Sequence, residues 1–405
     1  MPLIQGESLY VFLNSYLMIP NAKDLKTWVE VDVKALRANV LAFTKKLGKH
    51  ISIIAVVKSN AYGHGLVKTA QILSGSPTSG ESPEVGLPDV CFGVDSVDEA
   101  LELKKAGIKK PILILGYVPP GMFSTVVQNG FRIAIYNFES LKLLDSIVRR
   151  IHKKAFVHFK IETGTFRQGI MREDWPRFAA YTKEHRGLVA DGIYTHFSDT
   201  ENLKSVYYKH QLKNFTDALL AFHAAGIEPR LIHTASTAAS MMYKDTYFNT
   251  VRLGIGMYGM YPAPKVASVT RIKLRPALTW KTCIAQVKKI QKGDTVGYDR
   301  TYKASSSRTI AVLPVGYWDG YDRRFSGEGS VLVRGTRCPI IGRICMNMCM
   351  IDVSGVPLVR PGDEVVLLGK QGREMLTAED LGRSIGTINY EITTRINPLI
   401  KRIAI

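Results

Sequence analysis

Eight short apolar runs, spaced by helix-sized intervals, constrain this chain more than any other feature. They are ISIIAVV (51–57), CFGV (91–94), PILILG (111–116), FRIAIY (131–136), AFVHFKIE (155–162), VADGIYTHF (189–197), RLIHTAS (230–236) and TVRLGIG (250–256). Continuous apolar runs of this length read as strands buried on both faces, the form that parallel strands take. Amphipathic stretches separate them. SVDEALELKKAG (96–107) carries acids early, lysines late and a closing glycine, and HQLKNFTDALLAFHAAG (210–226) also ends on glycine. Number and spacing fit a parallel (β/α)8 barrel. An open doubly wound sheet alternates in the same way, but no G-x-G-x-x-G follows the first run.

After about residue 265 the rhythm changes. CIAQVKKIQKGDTVGY, RTIAVLPVGY, GSVLVRGTRCPIIGR, MCMIDVS and DEVVLLGK are short alternating strands broken by Gly, Asp and Pro. At 405 residues the chain exceeds what one core usually fills, so two domains are expected. We place a (β/α)8 barrel at 27–268, a mainly β domain at 269–405 and an N-terminal extension at 1–26. The Ser-, Gly- and Pro-rich insert SGSPTSGESPEVGLPD (74–89) reads as a surface loop.

The formal net charge of +19 first suggests a nucleic-acid binder. The basic residues are scattered among separate segments, however, with no zinc-finger spacing, RNP-type strand or long basic helix. The expectation is no nucleic-acid partner. Five cysteines form no CxxC and no metal-type spacing, so no metal site and a reducing, cytoplasmic compartment are expected. No stretch reaches the ~18 apolar residues needed to cross a bilayer, and the N-terminus lacks the basic start of a signal peptide.

Lys58 ends the first apolar run, in AVVKSNAYGHG (55–65). Residues at the carboxyl ends of barrel strands face the active site. A lysine held against apolar walls gives up its proton more easily and can form a Schiff base with an aldehyde. A lysine at a strand tip can equally run out to solvent. Spacing alone does not choose between these readings.

The stretch as a whole resembles the pyridoxal phosphate lysine motif of the alanine racemase family. Other segments resemble that family in the same order: TWVEVDVKALRANV (27–40), FKIETGTFRQGI (159–170), THFSDT (195–200), HTASTAAS (233–240) and VRLGIGMYG (251–259). In the second domain follow VGYDRTYKA (296–304), VGYWDGYDR (315–323), GRICMNM (342–348) and INYEITTRI (388–396). The likeness runs from residue 27 to the C-terminus.

This resemblance implies a pyridoxal 5'-phosphate enzyme that interconverts L- and D-alanine, feeding D-alanine to peptidoglycan. The alternative is an amino-acid racemase of broader range on the same fold. By resemblance, Lys58 carries the cofactor, and Tyr62, Thr237 and the backbone of Gly254 and Ile255 hold its phosphate. Arg252 faces the pyridine nitrogen, where an arginine cannot take up the ring proton as a carboxylate does. Arg167 meets the cofactor's phenolic oxygen and the substrate carboxylate. Lys160 matches a lysine that is often carbamylated.

Racemisation needs a proton removed from one face of Cα and returned to the other. The resemblance makes Lys58 one base and Tyr302 the second. A phenol titrating near pH ~10 is a poor base at neutral pH without nearby cations or hydrogen bonds; His196 is the neighbour the family places behind it. Tyr302 would come from a partner subunit, which implies a homodimer with shared sites. Tyr321 and the backbone of Met346 would complete the partner-side wall, with Arg343 near the substrate entrance. Two departures stand out. Asn347 replaces the aspartate usual in the family, and TTRINPLIKR (393–402) has no tyrosine where some relatives have one.

Overall fold

The computed structural model describes residues 24–75 and 90–405, so the extension up to residue 23 and the insert from residue 76 to 89 lie outside the described residues. Two compact units emerge, one of residues Val31–Leu278, Ile388–Pro398 and Ala404–Ile405, the other of Thr279–Thr387 and Leu399–Ile403 with the chain up to Glu30.

The first unit is the barrel. Its strands are β2 (Ser52–Val56), β3 (Val90–Val94), β4 (Ile112–Ile114), β5 (Arg132–Ile135), β6 (Ala155–Lys160), β7 (Leu188–Tyr194), β8 (Leu231–His233) and β9 (Thr250–Leu253). All eight coincide with the apolar runs. They form one parallel sheet in the order β8-β7-β6-β5-β4-β3-β2-β9, so the first barrel strand pairs directly with the last. No ladder joins β8 to β9; there the backbone N–H of Arg252 reaches the Ala235 carbonyl at 2.9 Å.

Helices follow the strands for local reasons. Helix α1 (Val33–Leu47) starts where Asp32 accepts the Ala35 N–H at 2.8 Å, and it buries Leu36, Val40, Phe43 and Leu47 at helical spacing. Each such side chain contributes up to about 1.5–3 kcal/mol by leaving water. The next regular helix, α2 (Leu66–Leu73), follows the lysine turn, and α3 (Val97–Lys105) is capped by Ser96. Asp98 and Glu99 occupy the first turn of α3 and Lys104 and Lys105 the last, complementing the helix dipole. Helices α4 (Phe123–Asn129), α5 (Phe138–Ile151), α6 (Trp175–Glu184), α7 (Tyr207–Ala224) and the short α8 (Thr237–Met242) complete the alternation.

In the second unit, short antiparallel strands dominate. Its large sheet includes β10 (Leu278–Cys283), β11 (Gln286–Ile290), β14 (Arg308–Leu313), β15 (Ser330–Val333), β16 (Thr336–Ile341), β17 (Cys349–Asp352) and β18 (Glu364–Gln371). A separate two-stranded ribbon pairs β12 (Thr295–Val296) with β13 (Tyr302–Lys303).

The boundary at residue 27 differs from expectation. Strand β1 (Thr27–Val31) lies in the large sheet beside β10, not in the barrel. Side chains fix it there: the Trp280 indole donates to Thr27 Oγ1 at 2.9 Å, Thr27 donates to the Lys281 carbonyl at 2.8 Å, and Lys281 Nζ meets Glu30 at 2.9 Å. An alternating TWVEV run suits a sheet with two unlike faces. The barrel's own strands begin only at Ser52.

Candidate active site

Lys58 follows β2 directly, and the chain then makes an unusual turn. Ser59, Asn60, Ala61 and Tyr62 all have φ between 53° and 56°, a left-handed turn built without glycine. Such a conformation costs roughly 1–2 kcal/mol per residue, so the surroundings must hold it. Glu99 accepts the Asn60 N–H at 3.2 Å through one carboxylate oxygen and the Asp95 N–H at 2.8 Å through the other. Asn60 Oδ1 accepts the Leu66 N–H at 2.9 Å, tying the turn to α2. At Gly63 a Cβ would overlap the Thr393 carbonyl oxygen, so only glycine lets those two backbones meet.

The turn delivers Lys58 and Tyr62 to a cavity of about 700 Å³ at the carboxyl ends of the barrel strands. Lys160, Arg167, His196, Thr237, Arg252, Gly254 and Ile255 line the same cavity, as expected from the sequence. The structure thus gathers every expected barrel residue in one place. Solvent exposure of Lys58 is partial, and its Nζ lies 3.4 Å from Asp95 Oδ1.

Beside Lys58, the tips of β8 and of β9, the strand paired with β2, form a cradle. Thr237 Oγ1 accepts N–H groups from Gly254 at 3.1 Å and Gly256 at 3.5 Å. A Cβ at Gly254 would come within 2.5 Å of Tyr62 Oη, so this glycine keeps a phenol, a hydroxyl and backbone amides together. Burial pushes the Tyr62 hydroxyl up to about 12, which keeps it a hydrogen-bond donor.

Arg252 is buried between these groups with no carboxylate among its acceptors. Its Nη1 donates to His233 Nδ1 at 2.9 Å and to the His233 carbonyl at 2.7 Å. Its Nη2 reaches the carbonyls of Thr195 (2.8 Å) and Thr234 (3.0 Å) and Nδ1 of His196 (3.2 Å). The Nε–H has no acceptor among the described residues. Burial lowers this guanidinium to about 10, still charged at neutral pH.

A polar chain that sequence reasoning missed extends inward from Arg252. Because Arg252 donates to His233 Nδ1, His233 carries its proton on Nε2 and gives it to His158 Nδ1 at 2.9 Å. His158 Nε2 then faces Asp191 at 3.3 Å, which also binds Arg132 (3.1 Å) and Arg230 (3.0 Å). A Cβ at Gly192 would overlap the His158 ring, so that glycine makes room for the pair. Burial, then Arg252, hold His233 and His196 well below the usual histidine range; burial also lowers His158. The sequence signal was available: a histidine inside each of two apolar runs, AFVHF and LIH.

Tyr194 and Tyr390 were also missed. Tyr194 lies opposite Lys160 in the strand register and stacks on His233 at 4.7 Å, its buried hydroxyl unpaired among the described residues. Tyr390 lines the cavity with its ring centroid 6.0 Å from that of Tyr62. Segment 393–402 does lack a tyrosine, but one three residues upstream serves the cavity. Lys160 Nζ donates to Gln168 Oε1 at 2.8 Å; burial, then Arg167 and Arg252, lower its amine to about 8.

The residues expected from the second domain lie in the β unit. Tyr302 sits on β13 opposite Val296, half-buried against Val296, Ile310, Ile341 and Met350. Met346 and Asn347 are exposed, and Arg343 is ion-paired with Asp299 at 2.7 Å. Tyr321 requires a correction. It is only 1% exposed, packed edge-on to Trp280 and against Phe325, and so is a core residue of its own unit. Tyr317, four residues earlier in the same motif, is 44% exposed.

Fold and cavity together define the class: a (β/α)8-barrel enzyme with a C-terminal β unit and a candidate active site at the carboxyl ends of the barrel strands. Residues 31–262 match the family description "Alanine racemase, N-terminal domain" and residues 277–404 "Alanine racemase, C-terminal domain". An alanine racemase of Symbiobacterium thermophilum is 39% identical over 93% of this chain and 96% of its own length. The structure of the Bacillus anthracis alanine racemase with bound L-Ala-P superposes with TM-score 0.86 at 34% identity, covering 94% of this chain and 95% of that one. A histidine racemase of Leuconostoc mesenteroides is more distant, at 26% identity and TM-score 0.84 over 95% of this chain and 99% of that one. The chain belongs to the alanine racemase family.

Proposed function

We propose that this chain racemises alanine with pyridoxal 5'-phosphate, in a homodimer whose two sites are each shared between subunits. The observation that carries the reading is Lys58 at a strand tip, sharing one cavity with Arg252 and with the cradle at Thr237 and Gly254. The cradle fits a phosphate: Tyr62 and Thr237 offer hydroxyl donors and Ile255 an N–H, with the Gly254 N–H orienting the Thr237 oxygen, where the barrel fold commonly binds one. Arg252 fits a pyridine nitrogen, since its Nε–H is a donor still in want of an acceptor. Bound there, the cofactor supplies an aldehyde for a lysine and an electron sink that acidifies the Cα–H of an amino acid.

The protein's own groups do the rest. Lys58 anchors the cofactor and serves as base on one face of Cα. Tyr302 of the partner subunit is the base on the other face. Arg252, already holding neutral His233 and His196, offers a hydrogen bond but no proton acceptor, which favours returning the proton to Cα over other fates. Arg167 attracts the substrate carboxylate. Carbamylation of Lys160 would convert a cation crowded by Arg167 and Arg252 into an anion that pairs with them; an amine lowered to about 8 is partly neutral and open to CO2. A 13C carbamate signal under labelled bicarbonate, absent in Lys160→Arg, is the expected result.

Exposed Tyr317, Trp318, Met346 and Met348 give the β unit an apolar surface of the kind subunit interfaces use. Each of the five cysteines is a free thiol, which suits the cytoplasm, where D-alanine would be made for peptidoglycan. The likeness to a histidine racemase supports a second reading, a broader substrate range, tested by assaying histidine and serine beside alanine. The primary experiment follows deuterium uptake at Cα of alanine and loss of optical rotation. Lys58→Ala should abolish both, together with the cofactor's absorbance. Tyr302→Phe should lose racemisation in both directions and exchange of the L-alanine Cα–H with solvent deuterium, while Lys58 still exchanges the Cα–H of D-alanine; equal loss of exchange from both enantiomers would remove the two-base assignment.

A further inference from the structure

The cavity lining is strongly cationic, with Lys58, Lys160, Arg167 and Arg252 against the carboxylates of Asp95 and Glu201. An amino acid arrives as a zwitterion. Such a lining attracts its carboxylate and repels its ammonium, so the ammonium needs a carboxylate of its own. We propose that Asp95 is that group: it receives the substrate ammonium beside Lys58. The inference rests on the racemase reading above and adds a residue to which no role has been attached.

Three observations support it. First, the structure already shows a primary ammonium on Asp95, the Nζ of Lys58 at 3.4 Å, standing in for the substrate's own. Second, Asp95 is built into place. Its N–H donates to Glu99 at 2.8 Å, its carbonyl accepts the Gly116 N–H at 3.1 Å, and a Cβ at Gly116 would lie 3.0 Å from its carboxylate. Third, Glu201 is the poorer acceptor: burial raises its carboxyl toward the neutral form, and Thr200 already donates to it at 3.4 Å.

A bound cofactor would meet the substrate nitrogen at the atom that Lys58 holds, so the substrate ammonium has to be received beside Lys58. Asp95 would hold that cation there and leave Lys58, as a neutral amine, free to act as the base on Cα.

The test compares alanine with propionate, which has the carboxylate but no ammonium. In Asp95→Asn holoenzyme the KM for alanine should rise about fivefold or more, an exposed ion pair setting the lower end. The Ki of propionate should stay at the wild-type value, and Asp95→Glu should recover most of the alanine KM. Cofactor absorbance per chain reports folding, and Asp95→Ser gives the same contrast if the Asn variant does not fold. Calorimetry of 2-aminoisobutyrate, which has an ammonium but no Cα–H to lose, against propionate reads it without turnover. An unchanged alanine KM, or a propionate Ki that rises in parallel, overturns the inference. A wild-type chain inactive on alanine would instead overturn the racemase reading.

Discussion

Arg252 spends both its Nη groups on protein acceptors, and none of them is a carboxylate. Lysine in its place would keep the charge but lose the planar fork, leaving carbonyls and an imidazole unpaired in a dry site. Arg252→Lys should therefore destabilise the fold by about 2–4 kcal/mol, read as a lower urea midpoint. The histidines beside it make a pH prediction. His158, His196 and His233 are held neutral by burial, with folded pKa values below the unfolded ~6.5. The unfolded chain then binds more protons as pH falls, so stability present above ~6.5 is lost below it, at up to about 1.4 kcal/mol per pH unit for each histidine. Asp191 acts in the same direction at lower pH. Burial alone would raise its carboxyl, but His158 and Arg230 hold it well below the usual range. Thermal midpoints measured from pH 7.5 to 5 should fall steadily; a flat profile would remove the neutral-histidine account. At this scale the residues alone left Lys58 open to two readings, and only the ordered set of family-like motifs gave Lys58 and Arg252 their expected roles. The sequence was silent on Asp95, whose meaning depends on a lysine 37 residues away, and misleading on Tyr321, whose burial is decided by Trp280 and Phe325.

The element that most shapes the site is the left-handed turn after β2. Four consecutive non-glycine residues at positive φ cannot be foreseen from KSNAY, which by propensity suits an ordinary helical turn. Glu99 is what tips the balance, since its two oxygens bind the turn and the end of β3 at once. Removing that brace by Glu99→Ala should speed amide exchange at residues 59–63 by about tenfold or more, with little change in β14 to β18. Ser59 is exposed and strained, so Ser59→Gly should raise stability by about 0.5–1 kcal/mol in denaturant titration. The strands themselves were legible because parallel strands buried on both faces leave unbroken apolar runs. Strand β1 was not assigned correctly, because its five residues pair with a strand some 250 positions later, a long-range choice that no local pattern encodes.

At the scale of the whole molecule, the proposed sharing of sites makes a prediction that contacts alone do not. Mixing inactive Lys58→Ala and Tyr302→Phe chains, after dissociation and reassociation, should restore about a quarter of wild-type activity. Half the dimers would be mixed, and each would contain one fully native site. No recovery would mean that each chain completes its own site. The two-unit plan was legible from the change of rhythm near residue 265, whereas the late return of Ile388–Pro398 to the barrel unit was not. Its contact with Gly63 is made by backbone, which leaves no composition signal. One feature reaches beyond this enzyme's present chemistry. No ladder closes the barrel between β8 and β9; the backbone of Arg252 binds Ala235, and its guanidinium binds the carbonyls of His233 and Thr234 across that seam. The residue proposed to face the cofactor ring is thus also the clasp of the fold. A descendant that exchanged it for an acid, to favour other reactions, would have to find a new clasp in the same mutational step. The seam therefore acts as an evolutionary ratchet, keeping this barrel committed to the chemistry that an arginine permits.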